Sequence, residues 1–322
     1  MEDFKFITHT NHDPYFNIAS EEYLLKKKGG YFVYLWINSP AVIVGVNQNT
    51  LQEVNINYTE KNGIKIVRRL TGGGAVYHDL KNVCYTVIAP FDETRDNYKA
   101  FTAPVIGYLA GIGVKAEFSG RNDITVDGKK ISGNAQTVYK DRILHHGTLL
   151  FDTDFTALEN SLKPNKLKME SKGIKSVRAR VGNVREYVSG MTAQQFYDGL
   201  CDFFARQYPT YSFDDKDLYE INKLVAEKYS RYEWNIGRSP KGQNLFEDRF
   251  SFGTLSLSFD TVEGKMQNVS VFGDFFSLMP KEGLENKLNG TPFNVQSVLR
   301  ALSDAGDYIK GATAEEIVGK LF

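Results

Sequence analysis

The chain is poor in cysteine, in net charge and in long apolar runs, and each shortage excludes a class of protein. Cys84 and Cys201 are its only two cysteines, and their separation fits neither a disulfide framework nor a zinc site. Lys plus Arg and Asp plus Glu both total 39, so no overall charge attracts nucleic acid or an anionic membrane. No apolar run approaches the roughly 18 residues that span a bilayer, and the first residues lack a leader pattern. These absences predict a cytoplasmic protein with no nucleic-acid partner and no membrane partner.

The common nucleotide-binding and hydrolase signatures are also missing. The sequence has no G-x-x-x-x-G-K-[ST], no H-E-x-x-H and no G-x-S-x-G. The nearest dinucleotide-like string, "GIGVKA" at 111–116, follows a helical pattern and precedes a strand, which is the wrong order for phosphate binding at a helix N-terminus. It therefore predicts a helix end, and an anion site must come from another cluster.

Apolar patterning predicts a large unit followed by a small one. Apolar residues make up 42% of the chain, which is typical of a globular protein with a buried core and not of a disordered one. Strand-like and helical stretches alternate up to about residue 230, and the Gly- and Pro-containing stretch 237–244 is typical of a linker. We therefore predict an α+β fold, with mixed β-sheets flanked by helices in a domain of residues 1–240. A small α+β domain is predicted over residues 247–322.

Residues 68–79, "RRLTGGGAVYHD", have the composition of an anion-binding loop. Three consecutive glycines allow backbone N–H groups to approach an anion closely. The two preceding arginines carry guanidinium groups that match phosphate or carboxylate oxygens. The alternative is a turn between strands with solvated arginines. The anion site is favoured because three glycines cost backbone entropy that a simple turn does not require.

Two further stretches place basic side chains on alternating faces of strands. "DITVDGKKISGNAQTVY" predicts a hairpin with its turn at 127–128, so Lys129 and Lys130 point to opposite faces. One is solvated, and the other either points inward to meet an anion or is also exposed. In "HHGTLL", His145 and His146 alternate in the same way, so one can face a site. The alternative for each histidine is a hydrogen-bonded structural imidazole.

The segment "KPNKLKMESKGIKSVRARV", residues 163–181, is strongly basic. Such a stretch is typical either of a mobile loop that closes over phosphates or of a solvated linker. The residues alone do not decide between the two interpretations.

Taken together, four stretches identify a family. "RRLTGGGAVYHDLKNVCYT", "GRNDITVDGKKISGNAQ", "HHGTLL" and "KGIKSVRARVGN", in this order and at these spacings, resemble the lipoate-protein ligases of the biotin/lipoate ligase and transferase superfamily. The likeness extends from "NHDPYFNIASEEYL" near the start to "FGDFF" in the last third of the chain. It implies that lipoate and ATP form lipoyl-adenylate and pyrophosphate. The lipoyl group then passes to a lysine of a lipoyl domain, as in 2-oxoacid dehydrogenase E2 subunits, or of the glycine-cleavage H protein.

The resemblance also implies roles for individual residues. Lys130 matches the family's invariant lysine and is the expected catalytic residue, and Arg69 and the run 74–77 match its nucleotide-contacting groups. The segment from about 163 to 183 looks like the family's adenylate-binding loop. The expected ATP and lipoyl-adenylate site comprises Arg68, Arg69, Gly73, Gly74, Ala75, Val76, Tyr77, His78, Asp123, Lys130, His146 and Thr148. Mg²⁺ is expected because departing pyrophosphate needs neutralisation, with Asp123 either as its ligand or as a group that orients a ligand.

The remaining expectations concern the acyl chain and the competing functions. The strands 42–46 and 83–87 can supply apolar walls for a lipoyl chain. An octanoyl or lipoyl transferase would carry the acyl group on a cysteine, for which Cys84 is the candidate, but its apolar strand favours a core thiol. A biotin ligase fits the glycine-rich motif less well. A non-ligating paralogue that binds lipoate is a further alternative, although the intact Arg69, glycine run and Lys130 argue against lost activity.

Overall fold

A computed structural model describes residues 4–94, 96–163, 180–237 and 244–322. Residues 238–243 of the predicted linker and residues 164–179 of the basic segment therefore lie outside the described residues. The strands are β1 Phe4–Thr8, β2 Tyr31–Ile37, β3 Ala41–Val44, β4 Lys65–Arg68, β5 Val76–His78, β6 Asn82–Pro90, β7 Glu117–Ser119, β8 Asp123–Val126, β9 Lys129–Tyr139, β10 Arg142–Leu150, β11 Asn244–Phe250, β12 Gly253–Val262 and β13 Lys265–Gly273.

Twelve α-helices accompany these strands in the described ranges. They are α1 Pro14–Lys26, α2 Thr50–Glu53, α3 Ile56–Lys61, α4 Asn97–Gly111, α5 Phe155–Ser161, α6 Ala193–Ala205, α7 Asp215–Leu224, α8 Tyr232–Asn235, α9 Glu282–Leu288, α10 Val295–Ala301, α11 Ala305–Tyr308 and α12 Ala314–Leu321. A 3₁₀ turn, Val184–Tyr187, and a π turn, Val225–Tyr229, complete the set. Helix α4 ends at Gly111, so "GIGVKA" begins at a helix end as predicted.

The strands form three sheets. The largest has seven strands in the order β1-β2-β6-β10-β9-β8-β7, with β1 parallel to β2 and the other pairs antiparallel. A small sheet has the order β4-β3-β5, and a third, antiparallel sheet β11-β12-β13 belongs to the last part of the chain. The predicted α+β class, with mixed sheets, flanking helices and a small C-terminal α+β domain, is confirmed.

Helix α1 is buried on nearly all of its surface, so its polar side chains need hydrogen-bond partners within the protein. Asp13 caps its N-terminus by accepting from the Tyr15 N–H, and Pro14 occupies the first turn, where its missing N–H costs nothing. The helix packs against the large sheet on one side and against α7 and the π turn on the other. Because buried polar groups need internal partners, the two glutamates of α1, Glu21 and Glu22, must find theirs within the protein.

The apolar core of residues 246–321 is separate from those of the preceding part of the chain. Hydrogen bonds nevertheless join the two parts beside the glycine run. The Gly273 N–H donates to the Asn47 carbonyl at 2.8 Å, and Asn47 Nδ2 donates to Ser277 Oγ at 2.5 Å. The exact bounds 1–240 and 247–322 stay a prediction. In the ranges that are described, no helix combines the length and apolarity needed to cross a bilayer.

Candidate active site

A cavity of about 160 Å³ lies between the large sheet and the small β4-β3-β5 sheet. Its inner part is apolar and is contributed by four separate elements: Ile18 of α1, Trp36 of β2, Ile43 of β3 and Cys84 of β6. The complete lining is Ile18, Trp36, Ile43, Arg69, Gly73, Gly74, Ala75, Val76, His78, Cys84, Asn122, Lys130, Gly133, Asn134, Ala135, His146, Gly147 and Thr148. We call this space the acyl cavity. The motif residues around 73–78, 130 and 146–148 therefore surround one space.

The floor of the acyl cavity is a row of residues that crosses four adjacent strands. Trp36 pairs with Cys84, and Cys84 pairs with Thr148, so their side chains share one face of the sheet. Gly133 on β9 continues the row by donating its N–H to Thr148 Oγ1 at 3.3 Å. Neighbouring strands are about 4.8 Å apart, so this row is roughly 14 Å long. An extended medium-chain acid can lie along it.

Lys130 stands at the open end of this row. Its Nζ lies 2.7 Å from Asp123 Oδ1. The end of the basic segment runs alongside, because the Lys130 N–H donates to the Arg180 carbonyl and the Lys130 carbonyl accepts from the Gly182 N–H, both at 2.9 Å. Lys129 points the other way and pairs with Glu186 at the surface. Of the two adjacent lysines, Lys130 is therefore the one that faces the cavity.

A second, more polar cavity of about 210 Å³ adjoins the first at Lys130. Four cationic side chains line it, and two of them lie far from Lys130 in sequence. The lining is Gly73, Gly74, Arg121, Asn122, Asp123, Lys130, Arg180, Arg249, Asp274 and Phe276. We call this space the cationic cavity. Arg121 is held at its edge by a hydrogen bond to the Phe252 carbonyl at 3.0 Å and by stacking on the Phe276 ring.

Arg69 organises the glycine loop from behind. Its Nη2 donates to the carbonyls of Gly72 and Gly74, at 2.6 and 2.9 Å, and its Nη1 donates to the Ile43 carbonyl at 3.0 Å. Burial lowers the pKa of this guanidinium to about 10, although the charge of Glu21 opposes the shift, so Arg69 remains a cation at neutral pH. In a trans peptide the N–H points away from the carbonyl, so the Ala75 N–H points away from Arg69. Arg69 thus orients the Gly74–Ala75 peptide, whereas the Gly73 N–H donates to the Phe275 carbonyl at 3.4 Å.

Two of the twelve expected site residues lie behind the cavities. Arg68 is fully buried, and its guanidinium donates to the carbonyls of Gly45 and Gln48 and to Thr50 Oγ1. Tyr77 points to the opposite face of β5 and packs in the apolar cluster around Val42. The geometry therefore gives Arg68 and Tyr77 supporting positions. The other ten line one or both cavities.

The three histidines near the site have different surroundings. His146 lines the acyl cavity, whereas His145 is buried on the opposite face of β10 beside Gln136. His78 lies at the inner end of the cavity, where Asn38 Nδ2 is 3.1 Å from its Nδ1. Burial, assisted by the charge of Arg69, lowers the pKa of His78 to about 3. His78 is therefore neutral at physiological pH and is unsuited to act as a general acid.

Cys84 is part of the acyl cavity wall and lies beside His78. Its Sγ is 3.5 Å from His78 Nδ1, and Asn82 Nδ2 donates to the same sulfur at 3.3 Å. Burial, and secondarily the charge of Glu21, raises the pKa of the Cys84 thiol well above its usual range. Because the thiolate is the nucleophile, this site disfavours acyl transfer through cysteine. The neutral His78 does not offset the effect.

The carboxylates of the site fit a magnesium ion that arrives with a nucleotide, and not a resident metal. Among the described residues, no three His, Cys, Asp or Glu side chains converge on one point. Asp123 and Asp274 line the cationic cavity, but they pair with Lys130 and Arg249 respectively. Mg²⁺ in nucleotide sites is bound mainly by phosphate oxygens and water, with one or two carboxylates.

The sequence motifs do not include several residues of the site. Trp36 belongs to an apolar strand that carries no signal of a ligand, whereas Ile43 and Cys84 lie in the strands 42–46 and 83–87 that were expected to supply apolar walls. Arg121 and Asn122 precede Asp123 in the quoted "GRND", so their position in that motif was an available signal. Arg249 and Asp274 come from the last part of the chain, and no local pattern connects them to Lys130.

Comparisons with known proteins agree with this geometry. The model of the lipoyl protein ligase A/B catalytic domain matches residues 13–205, and that of the bacterial lipoate protein ligase C-terminus matches residues 239–321. The chain is 41% identical over 326 residues to lipoate-protein ligase LplJ of Bacillus subtilis, covering 98% of this chain and 96% of that protein. It is also 41% identical to lipoate–protein ligase 1 of Staphylococcus aureus, over 93% and 94% of the two chains.

Solved structures share the fold. P. falciparum LipL1 in complex with lipoate has a TM-score of 0.76 at 26% identity and covers 99% of this chain and 98% of its own. A bipartite lipoate protein ligase of Thermoplasma acidophilum, studied with its E2 lipoyl domain, has a TM-score of 0.66 at 27% identity, over 76% and 100% of the chains. Lipoate-protein ligase A bound with ATP has a TM-score of 0.64 at 26% identity, over 74% and 99%.

Proposed function

The chain belongs to the lipoate-protein ligase family, and from that premise we propose that it activates lipoate with ATP and transfers the lipoyl group to a lysine of a carrier protein. One observation carries this proposal: the acyl cavity and the cationic cavity meet at Lys130. An apolar acid and a polyphosphate can therefore be bound with their reacting ends at the same ammonium group.

In the first step, a carboxylate oxygen of lipoate attacks the α-phosphorus of ATP. A mixed acyl–phosphate anhydride forms, and the bond to pyrophosphate breaks with its electron pair leaving on oxygen. Lys130 Nζ stabilises the charge that develops on the oxygens at this junction. The arginines of the cationic cavity, Arg121, Arg180 and Arg249, neutralise the departing pyrophosphate. No general base is required because the carboxylate is already ionised at neutral pH.

In the second step, the neutral ε-amine of the carrier lysine attacks the acyl carbon. An amide bond forms, AMP leaves with the electrons of the anhydride bond, and the amine loses one proton. Neither step requires a cysteine nucleophile, which agrees with the protonated, buried state of Cys84. The residues proposed to contact the adenylate are Arg69, Gly73, Gly74, Ala75, Val76, His78, Asp123, Lys130, His146 and Thr148, with Arg68 and Tyr77 supporting them from behind.

We further propose that Mg²⁺ would accompany ATP and supply positive charge to the phosphates, with Asp123 as the protein carboxylate that would hold it. In the absence of nucleotide, Asp123 orients Lys130 instead. Residues 1–240 would bind lipoate and ATP, and residues 247–322 would contribute Arg249 and Asp274 as an accessory domain. The proposed carriers are lipoyl domains of 2-oxoacid dehydrogenase E2 subunits and the glycine-cleavage H protein, in the cytoplasm.

Mass spectrometry of a purified lipoyl domain tests the proposal. The domain is incubated with the enzyme and lipoate, with and without ATP and with and without Mg²⁺. A mass gain of one lipoyl group that requires ATP supports the ligase. A gain that instead requires a lipoylated or octanoylated donor protein and no ATP would identify a transferase, and lipoate binding with no gain under any condition would identify a non-ligating binder.

A further inference from the structure

A line of buried hydrogen bonds connects α1 to the glycine loop behind the acyl cavity. Glu21 Oε1 accepts from Thr86 Oγ1 at 2.5 Å and lies 2.9 Å from His146 Nδ1. On the other side of the imidazole ring, His146 Nε2 is 2.8 Å from Thr71 Oγ1. Thr71 Oγ1 accepts in turn from Arg69 Nε at 2.8 Å. We call these four side chains, Glu21, His146, Thr71 and Arg69, the Glu21 relay.

The donors and acceptors of these groups allow one consistent direction along the Glu21 relay. Arg69 has only donors, so Thr71 Oγ1 accepts from it and can offer its own proton to His146 Nε2. With Nε2 as the acceptor, the Nδ1–H of His146 donates to Glu21. At the far end, Trp36 Nε1 donates to Thr86 Oγ1 at 3.0 Å, which leaves the Thr86 proton for Glu21. A Glu21 carboxylate, which only accepts, satisfies all these bonds.

The Glu21 relay also balances charge. Glu21 is 2% exposed and Arg69 is 5% exposed, and a buried ion is costly unless an opposite charge and hydrogen bonds compensate it. The carboxylate and the guanidinium do not touch; a neutral imidazole and a hydroxyl bridge them. Arg69 then uses its remaining donors on the carbonyls of Gly72 and Gly74. The position of the loop peptides therefore depends on an acid that lies outside both cavities.

We propose that Glu21 is a positioning residue for adenylation: through His146 and Thr71 it holds Arg69, and Arg69 fixes the glycine loop 72–74 so that the Ala75 N–H is directed toward the reacting groups. This inference rests on the proposed function. It assigns Glu21 an effect on the phosphate end of the reaction, although Glu21 touches neither substrate. Loss of the Glu21 charge should therefore reduce kcat for adenylation more than it weakens lipoate binding.

Glu22 is a matched control on the same helix. It is similarly buried, but its carboxylate faces away from the site and pairs with Lys228 at 2.6 Å, Tyr229 at 2.5 Å and Lys26 at 3.0 Å. Glu22→Gln thus removes a similarly buried charge whose side-chain partners among the described residues, Lys26, Lys228 and Tyr229, are not members of the Glu21 relay. It should lower stability and leave kcat within about twofold of the wild type.

The experiment measures pyrophosphate release with lipoate and MgATP, together with calorimetric binding of lipoate alone, for Glu21→Gln, Glu22→Gln and Thr71→Val. We expect Glu21→Gln and Thr71→Val each to lower kcat by about ten- to a hundredfold, because loop misplacement disturbs the reacting geometry. The lipoate dissociation constant should change by less than about threefold. The double variant Glu21→Gln/Thr71→Val should be little worse than either single variant, because both break one relay.

The outcomes separate this inference from the proposed function. If the wild-type chain releases no pyrophosphate, the proposed function fails. If the wild type is active and Glu21→Gln keeps kcat within about twofold, or if Glu22→Gln loses as much kcat, the positioning role is overturned while the ligase function stands. Additive losses in the double variant would also contradict the relay. If Glu21→Gln does not fold, Thr71→Val decides alone by the same kcat criterion.

Discussion

The two ends of the site are built in different ways. The acyl cavity takes its floor from one row across four hydrogen-bonded strands, from Trp36 to Gly133, so its shape is determined by the register of the sheet. The cationic cavity collects side chains from the start of β8, from the segment at 180 and from β11 and the loop after β13. The acyl end is therefore preorganised by the sheet, whereas the phosphate end depends on contacts between distant segments.

The largest expected effect is at the junction of the two ends. Lys130→Ala should abolish most adenylate formation, by about 10²- to 10³-fold in kcat, because it removes a fixed charge from the developing oxyanion. Pyrophosphate release with lipoate and ATP measures it. Lys129→Ala is the matched control, since Lys129 pairs with Glu186 at the surface, and it should behave as the wild type. Normal pyrophosphate release by Lys130→Ala would remove Lys130 from the mechanism.

A smaller effect should be confined to the phosphate end. Arg121→Ala removes a guanidinium that is held between the Phe276 ring and the Phe252 carbonyl. We expect the KM for ATP to rise by about tenfold, since charge-assisted contacts to phosphate are lost. Lipoate binding in the absence of ATP should stay the same.

Arg185→Ala is the control for this variant, because Arg185 forms a surface ion pair with Asp152. Equal effects of Arg121→Ala on the affinities for lipoate and for ATP would show that the two ends are not independent. The distinction between an acyl cavity formed by the sheet and a cationic cavity formed by distant segments would then be wrong.

The sheet that forms the acyl cavity should make the stability of the protein decrease in acid. Burial lowers the pKa values of His78 and His145 to about 3, below the ordinary value of about 6.5 for the unfolded chain. The folded state thus binds fewer protons, so the stability that these histidines contribute is complete above pH of about 6.5 and is lost as the pH falls toward 3. In that window each should shift the unfolding equilibrium by about tenfold per pH unit.

Urea unfolding at several pH values measures how the free energy of unfolding changes with pH. His145→Gln should reduce the pH dependence of the free energy of unfolding by one proton. An unchanged slope in His145→Gln would mean that His145 is protonated in the folded protein.

Alternation along strands made part of the site predictable from the residues. It requires that Lys129 and Lys130, and likewise His145 and His146, occupy opposite faces. Which member of each pair faces the cavity depends on the order of strands in the sheet, which no local pattern contains. The same limit explains Arg68, whose guanidinium donates to carbonyls and a hydroxyl around 45–50 and to the carbonyls of Trp234 and Asn235.

The fold class followed from apolar periodicity, but the cationic cavity did not. Arg121, between β7 and β8, and Arg249, on β11, line one cavity only because the tertiary structure brings these segments together. Glu21 is an intermediate case. Two adjacent acids in the mainly apolar stretch "NIASEEYLL" indicate buried carboxylates that need partners within the protein. Which side chains become those partners depends on the order of the strands in the sheet.

The smallest expected effect tests whether the sulfur at the preorganised end has any chemical role. Cys84→Ser keeps the size of the side chain and lets its hydroxyl use the contacts to Asn82 and His78, so ATP-dependent lipoylation should change by at most about threefold. Cys201→Ser, on α6 outside both cavities, is the control. A folded Cys84→Ser protein that loses all lipoylation would indicate a cysteine-dependent transfer. Retention of activity would restrict Cys84 to packing, because the raised thiol pKa leaves too little thiolate for nucleophilic attack.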